Sequence, residues 1–122
     1  MALPNYEKNI NKEIQSGSNS NGKYTKFSDG TLIQYGNVSI SPLEDRSQGG
    51  LSYYSGTINV SLPQNFIDTN YSLSSNILIA NMNYFCQSYC SIISNSSIVI
   101  NFASTGKGDT RTIQWIAVGR WK

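Results

Sequence analysis

The sequence predicts an all-β fold, an antiparallel β-sandwich of about six to seven short strands. Three observations predict it. Apolar residues alternate with polar ones at a period of two, as where Ile58, Val60 and Leu62 interleave with Thr57, Asn59 and Ser61; that is the pattern of a strand with one buried face. Clusters of Gly, Asn, Asp and Pro punctuate the alternating runs, and such residues make turns. Charged residues are only 13% of the chain, against about a quarter in an ordinary domain, and strong helix formers are correspondingly sparse. A length of 122 residues suits one domain with one core.

The elements follow in order. Leu3, Tyr6, Ile10 and Ile14 recur at spacings of three and four, with Glu7, Lys8, Lys12 and Glu13 between them. That pattern predicts a short helix over residues 1–15, the end of a stalk; the alternative is a disordered terminus, because so short a helix is marginal alone. Ser16 to Gly22 reads as a flexible linker by composition. The domain organisation is therefore residues 1–22 as helical stalk end and linker, and 23–122 as the β-sandwich domain.

Lys23–Ser28 is the first expected strand, and Asp29-Gly30 a hairpin turn. The next strand runs from Thr31 to about Ser41. Ile33 and Tyr35 have one parity and Val38 and Ile40 the other, so a bulge at Gly36 would bring all four to one face. Residues 42–50 read as a loop, with Tyr53-Tyr54 following in the same loop region. A strand at 57–62 stops at Pro63. Tyr71, Leu73, Ile77 and Ile79 share a parity, 82–93 is an aromatic strand, and Ile98, Ile100 and Phe102 alternate in another. A Gly-rich turn, Thr105–Asp109, leads to a last strand, Thr110–Trp121. Apolar residues on both of its faces predict burial on both sides.

Composition also restricts the chemistry. With no histidine, a Ser-His-Asp or Cys-His arrangement cannot form within the chain, and the usual nitrogen ligand of zinc is missing. The β domain holds few carboxylates, namely Asp29, Glu44, Asp45, Asp68 and Asp109, and Asp29 and Asp68 sit in turn sequences. The expectation is a protein that is not an enzyme, with no cofactor and no metal. A net charge of +2 without a Lys/Arg block argues against nucleic acid, whose phosphates need a basic stripe. No apolar run is long enough to span a bilayer, and no signal-peptide pattern occurs, so membrane insertion is not expected. Cys86 and Cys90 lie four apart. In a regular strand they are roughly 13 Å apart, too far for a disulfide without a bend, so they read first as small buried hydrophobes.

Uncharged hydrogen-bonding residues and tyrosines are what the surface has to bind with. Tyr53, Tyr54, Tyr84 and Tyr89 are the foremost ligand candidates, since tyrosine offers rigid apolar area with a polar tip. Asn83, Gln87, Asp109 and Arg111 are candidate polar partners. Trp115 reads as core.

Three stretches carry a family resemblance. The opening Asn21-Gly22-Lys23-Tyr24-Thr25-Lys26-Phe27-Ser28-Asp29-Gly30-Thr31-Leu32-Ile33-Gln34-Tyr35-Gly36, the corner Val60-Ser61-Leu62-Pro63-Gln64-Asn65-Phe66 and the ending Trp115-Ile116-Ala117-Val118-Gly119-Arg120-Trp121 together resemble the C-terminal receptor-binding domain of bacteriophage or phage-like tail fibres. The corner and ending also resemble H-type lectins. The resemblance implies a homotrimeric fibre tip on the virion, acting extracellularly by adhesion to a cell-surface polysaccharide. Ile10, Ile14, Arg120 and Trp121 are then candidates for the trimer interface. A trimerisation or capping domain without a ligand, and a free-standing lectin, are the competing readings.

Overall fold

The computed structural model describes residues 11–78 and 84–122. Among the described residues there are nine strands and no helix: β1 (Glu13–Asn19), β2 (Gly22–Phe27), β3 (Thr31–Ile40), β4 (Glu44–Gln48), β5 (Leu51–Ser61), β6 (Ser72–Leu78), β7 (Cys86–Ile92), β8 (Ser97–Ser104) and β9 (Arg111–Arg120). They form a five-stranded sheet of order β1-β2-β3-β9-β6 and a four-stranded sheet of order β4-β5-β8-β7, with every pairing antiparallel. The inner faces share one core. Leu32, Ile40, Ile113, Trp115 and Ala117 come from the first sheet, and Val60, Ile98, Ile100 and Phe102 from the second. Each large side chain so buried contributes about 1.5–3 kcal/mol. Cys86 and Cys90 are free thiols packed against this core, as small hydrophobes would be.

Three expectations are corrected. Residues 13–22 are neither the end of a helix nor a linker. Glu13–Asn19 pairs with β2, and the expected boundary at 22 falls on the first residue of β2, Gly22, which pairs with Asn19. Ladder bonds use the main chain, so Ser, Asn and Gly do not oppose them, and the Asn21 N–H donates to the Asn19 side chain to close the turn (2.8 Å). Residues 1–10, which carry the rest of the helical pattern, lie outside the described residues.

The second correction is to β3. It pairs with β9 without a shift from Thr31↔Arg120 to Ile40↔Arg111, so no bulge occurs at Gly36. Leu32, Gln34 and Ile40 point into the core instead. Gln34 is fully buried because it is fully used: its Nε2 donates to the Gln64 carbonyl (2.9 Å), and its Oε1 accepts from the Gln64 N–H (2.8 Å). A buried amide satisfied in this way costs little, whereas an unpaired one costs about 1–3 kcal/mol. The third correction concerns β9, which is buried on one face only. Ile113, Trp115 and Ala117 are inside, while Ile116 and Val118 remain exposed.

Candidate functional site

The expected loop at 42–50 is a strand and a turn. β4 and β5 form a hairpin in which Gln48 pairs with Leu51. Gly49 and Gly50 have φ of 59° and 81°, the positive pair that a two-residue hairpin turn requires. Tyr53 and Tyr54, expected in a loop, therefore stand on β5 and point to opposite faces. That hairpin extends the four-stranded sheet and gives it a usable outer face.

An open groove of about 820 Å³ runs over this outer face. Strand register builds it in rows. Arg46 of β4 pairs with Tyr53, and the row continues to Thr105 and Phe85, whose backbones are joined by the Thr105 N–H donating to the Phe85 carbonyl (2.9 Å). The next row is Glu44, Ser55, Ala103 and Gln87. The third is Thr57, Asn101 and Tyr89. Ser55 and Ala103 are small, so the middle row is a floor between two taller rows. The result is a trough lying across strands about 4.8 Å apart.

Its walls are aromatic. Phe85 is 87% exposed and Tyr89 55%, yet the Phe85 backbone is pinned, since its N–H donates to Thr105 Oγ1 (3.1 Å). The charges in the trough cancel: Arg46 Nη2 lies 2.6 Å from Glu44 Oε2, and its Nε donates to Ser55 Oγ (3.2 Å). Thr57 Oγ1 donates to Asn101 Oδ1 (2.8 Å) along the third row.

Of the ligand candidates read from the sequence, Tyr53, Gln87 and Tyr89 line this groove. Tyr54 does not. It faces the other way, with Lys107 Nζ 5.8 Å from its ring centre, and Lys107 also reaches Asp45 (3.8 Å). The Tyr84 ring covers Gly106 so closely that a Cβ there would meet it at 2.7 Å. Asn83 lies outside the described residues. Asp109 and Arg111 form an ion pair (2.8 Å) with side chains only 9% and 3% exposed, and Asp109 also accepts from Ser104 Oγ (2.9 Å). They fix the Thr105–Asp109 turn from beneath and do not reach the surface. Partial desolvation raises the Asp109 carboxyl, but the hydrogen bonds from Arg111 and Ser104 and the Arg111 charge outweigh it, so it titrates below its ordinary value.

Arg46, Thr57, Phe85, Asn101 and Ala103 were not singled out from the sequence. The signal for three of them was there. Continuing the alternation of Ile58 and Val60 back to Tyr53 puts Tyr53, Ser55 and Thr57 on the outer face, and the alternation of β8 puts Asn101 and Ala103 there.

The candidates for an interface between copies are placed differently. Ile10 lies outside the described residues, and Ile14 is exposed on β1. Arg120 and Trp121 are engaged within their own chain. Arg120 Nη2 donates to the Asp29 carbonyl (2.7 Å), and Trp121 Nε1 to the Phe27 carbonyl (2.9 Å). Exposed apolar area lies instead on the outer face of the five-stranded sheet, where Tyr35 pairs with Ile116 and Ile33 with Val118.

No family profile matches this chain, and no curated protein matches it. Two solved structures are similar to it. One is a P. aeruginosa R1 pyocin fibre comprising C-terminal residues 323–701, with a TM-score of 0.49 and 16% identity over 88% of this chain and 28% of that one. This chain thus spans 28% of that fragment's length. The other is an N-truncated R1-type pyocin tail fibre, with a TM-score of 0.43 and 17% identity over 88% of this chain and 87% of that one.

Proposed function

We propose that this chain is the receptor-binding tip of a phage-type tail fibre, and that it adheres without covalent chemistry to a cell-surface polysaccharide. The observation that carries the reading is the trough on the four-stranded sheet. Tyr53, Phe85 and Tyr89 offer ring faces for the apolar faces of sugars, and Gln87, Thr57 and Asn101 offer uncharged hydrogen bonds. The neutralised Arg46–Glu44 pair suits an uncharged chain. The opening, corner and ending motifs support the fibre assignment. On this reading the domain binds and does not turn over its ligand: the carboxylate beside the trough, Glu44, is tied to Arg46, and no carboxylate stands among the described residues that line the trough, whereas glycoside hydrolysis ordinarily takes two flanking the bond.

In the fibre, three copies meet around an axis on the virion and act outside the cell. The surface suited to close between copies is the apolar pairing of Ile33, Tyr35, Ile116 and Val118. Three troughs on one trimer raise avidity without adding contacts. That same patch favours the second reading, a capping domain that only ends the fibre. An array of bacterial surface polysaccharides, probed with the purified chain, separates the two. Receptor binding predicts retention on a subset of glycans, lost in the Tyr53→Ala/Tyr89→Ala double variant. A folded trimer retained on no glycan, with Ile116→Lys alone dissolving it in sedimentation, would leave the capping reading standing.

A further inference from the structure

Resting on the reading that copies meet on the five-stranded sheet, we infer that the axis relating them runs parallel to β9, and that Tyr35 of one copy seats in a hollow beside β6 of the next. Strand register builds the two halves of that contact. β9 lies between β3 and β6, so each of its outward residues is the middle of a row of three. Ile33, Val118 and Ser72 make one row, Tyr35, Ile116 and Ser74 the next, and Asn37, Gln114 and Asn76 the third. In the first two rows the β3 flank is large and the β6 flank small. A hollow of about 310 Å³ spans the second and third rows, lined by Tyr35, Ser74, Asn76, Gln114 and Ile116.

Shape and charge select the occupant, a second copy of this chain. An axis parallel to β9 turns the β3 flank of one copy onto the β6 flank of the next at the same height, large side chains against small. An axis lying across the strands would set Tyr35 against its own image and leave Ser72 and Ser74 facing each other over a gap. Among the described residues, the outward side chains of β3, β9 and β6 are uncharged except Arg120 at one end, which is engaged by the Asp29 and Lys122 carbonyls. A contact between identical copies around an axis brings each charge near its own image, and like charges so placed are costly, so a neutral face suits self-association. The third row fits the same axis. Asn37, Gln114 and Asn76 are exposed, and their side chains make no hydrogen bond among the described residues. A carboxamide both donates and accepts, so this row can bond the same row of the next copy when the two meet at equal height. A slip along β9 would set it against Ile116 instead. The amide row thus fixes register, as a single polar layer does in a coiled coil.

Cysteine cross-links test the axis. Ile33 and Ser72 stand two strands apart, about 10 Å, beyond the roughly 7 Å that a disulfide spans. A bridge between cysteines at these positions therefore joins copies and cannot close within one. In a Cys86→Ser/Cys90→Ser background, the Ile33→Cys/Ser72→Cys variant should form a covalent multimer on mild oxidation, read on a non-reducing gel, and neither single substitution should. Sedimentation of the intact chain tests the two contacts. Tyr35→Ala should weaken association about tenfold or more. Gln114→Glu, which sets like charges at one height, should weaken it at least about tenfold at pH 7 and regain it below about pH 4, where the carboxyl is protonated. Asn59→Glu, on the other sheet, should leave it unchanged, and thermal melts check that every variant folds. Cross-linking by Ile33→Cys alone would overturn the axis, as would a double variant that still assembles but does not cross-link. Association of Tyr35→Ala or Gln114→Glu as strong as wild type at pH 7 would overturn the seat or the amide contact respectively. A wild-type chain that stays monomeric at every concentration would overturn the inter-copy reading itself.

Discussion

Two regions of this molecule use their side chains in opposite ways. Around the β2–β3 turn, the 63–66 corner and the C-terminus, polar groups bind the chain to itself. Arg120 caps the Asp29 carbonyl, Trp121 donates to Phe27, Gln34 clasps the backbone of Gln64, and Asn95 Nδ2 donates to the Phe66 carbonyl (3.0 Å). Phe66 stacks on Tyr71 at 4.1 Å, and Gly119 lies against both so closely that a Cβ would meet Tyr71 at 2.6 Å. On the outer face of the four-stranded sheet the balance reverses. Tyr53, Tyr89 and Gln87 make no side-chain hydrogen bond among the described residues, and Phe85 projects into solvent. Most of the residues in the opening, corner and ending motifs named here satisfy one another; Trp115 is the exception, buried with its indole N–H unpaired among the described residues. The residues named on that outer face belong to no motif.

The comparison can be broken first where the frame is tightest. Phe66→Ala removes a buried ring that packs against Tyr71 and Gly119 and should cost about 3–5 kcal/mol, read as a lowered midpoint in denaturant. Gln34→Leu should cost less, about 1–3 kcal/mol, by stranding the Gln64 N–H and carbonyl. Neither should change the sugar preference of whatever folded protein remains.

The Asp109–Arg111 pair gives an intermediate test through pH. The folded-state pKa of Asp109 is depressed. Its contribution is therefore fully present above the unfolded value of about 3.9 and is lost as pH falls through the lower folded value. Asp109→Asn should melt lower than wild type at neutral pH, and the gap should narrow on acidification below about pH 4. A gap constant with pH would deny the pair its role under the turn. The smallest stability effect belongs to the trough: Tyr89→Ala should change stability by about 0.5 kcal/mol or less, while weakening glycan retention more than any frame variant does.

Part of this was legible in the sequence. Ile98, Ile100 and Phe102 alternate cleanly and all prove fully buried, because a two-sided strand over one core has nowhere else to put them. In β3 the same reasoning fails. Hydrophobicity favours Ile33 and Tyr35 over Gln34, but the bonds from Gln34 to Gln64 are tertiary and invisible to periodicity. Residues 13–15 read as the end of a helix and 16–19 as linker, because main-chain pairing into β1 leaves no mark on composition. The outer face was half legible. Tyrosine supply pointed to Tyr53 and Tyr89, but separating them from Tyr54 and Tyr84 needed the register of β5 and the packing of the Gly-rich turn. Apolar residues on both faces of β9 predict burial on both sides, but Ile116 and Val118 are exposed; among the described residues they have no partner layer, which is what draws attention to that face as a contact between copies.

The central claim is that recognition resides in the trough and is separable from the motif-bearing frame. Calorimetric titration of the best array ligand into wild-type chain and into the Tyr53→Ala/Tyr89→Ala variant, with both melting points recorded, tests it most directly. The account predicts at least about a tenfold weaker association, 1.4 kcal/mol or more, at an unchanged melting point. Undiminished binding by a folded double variant would contradict it.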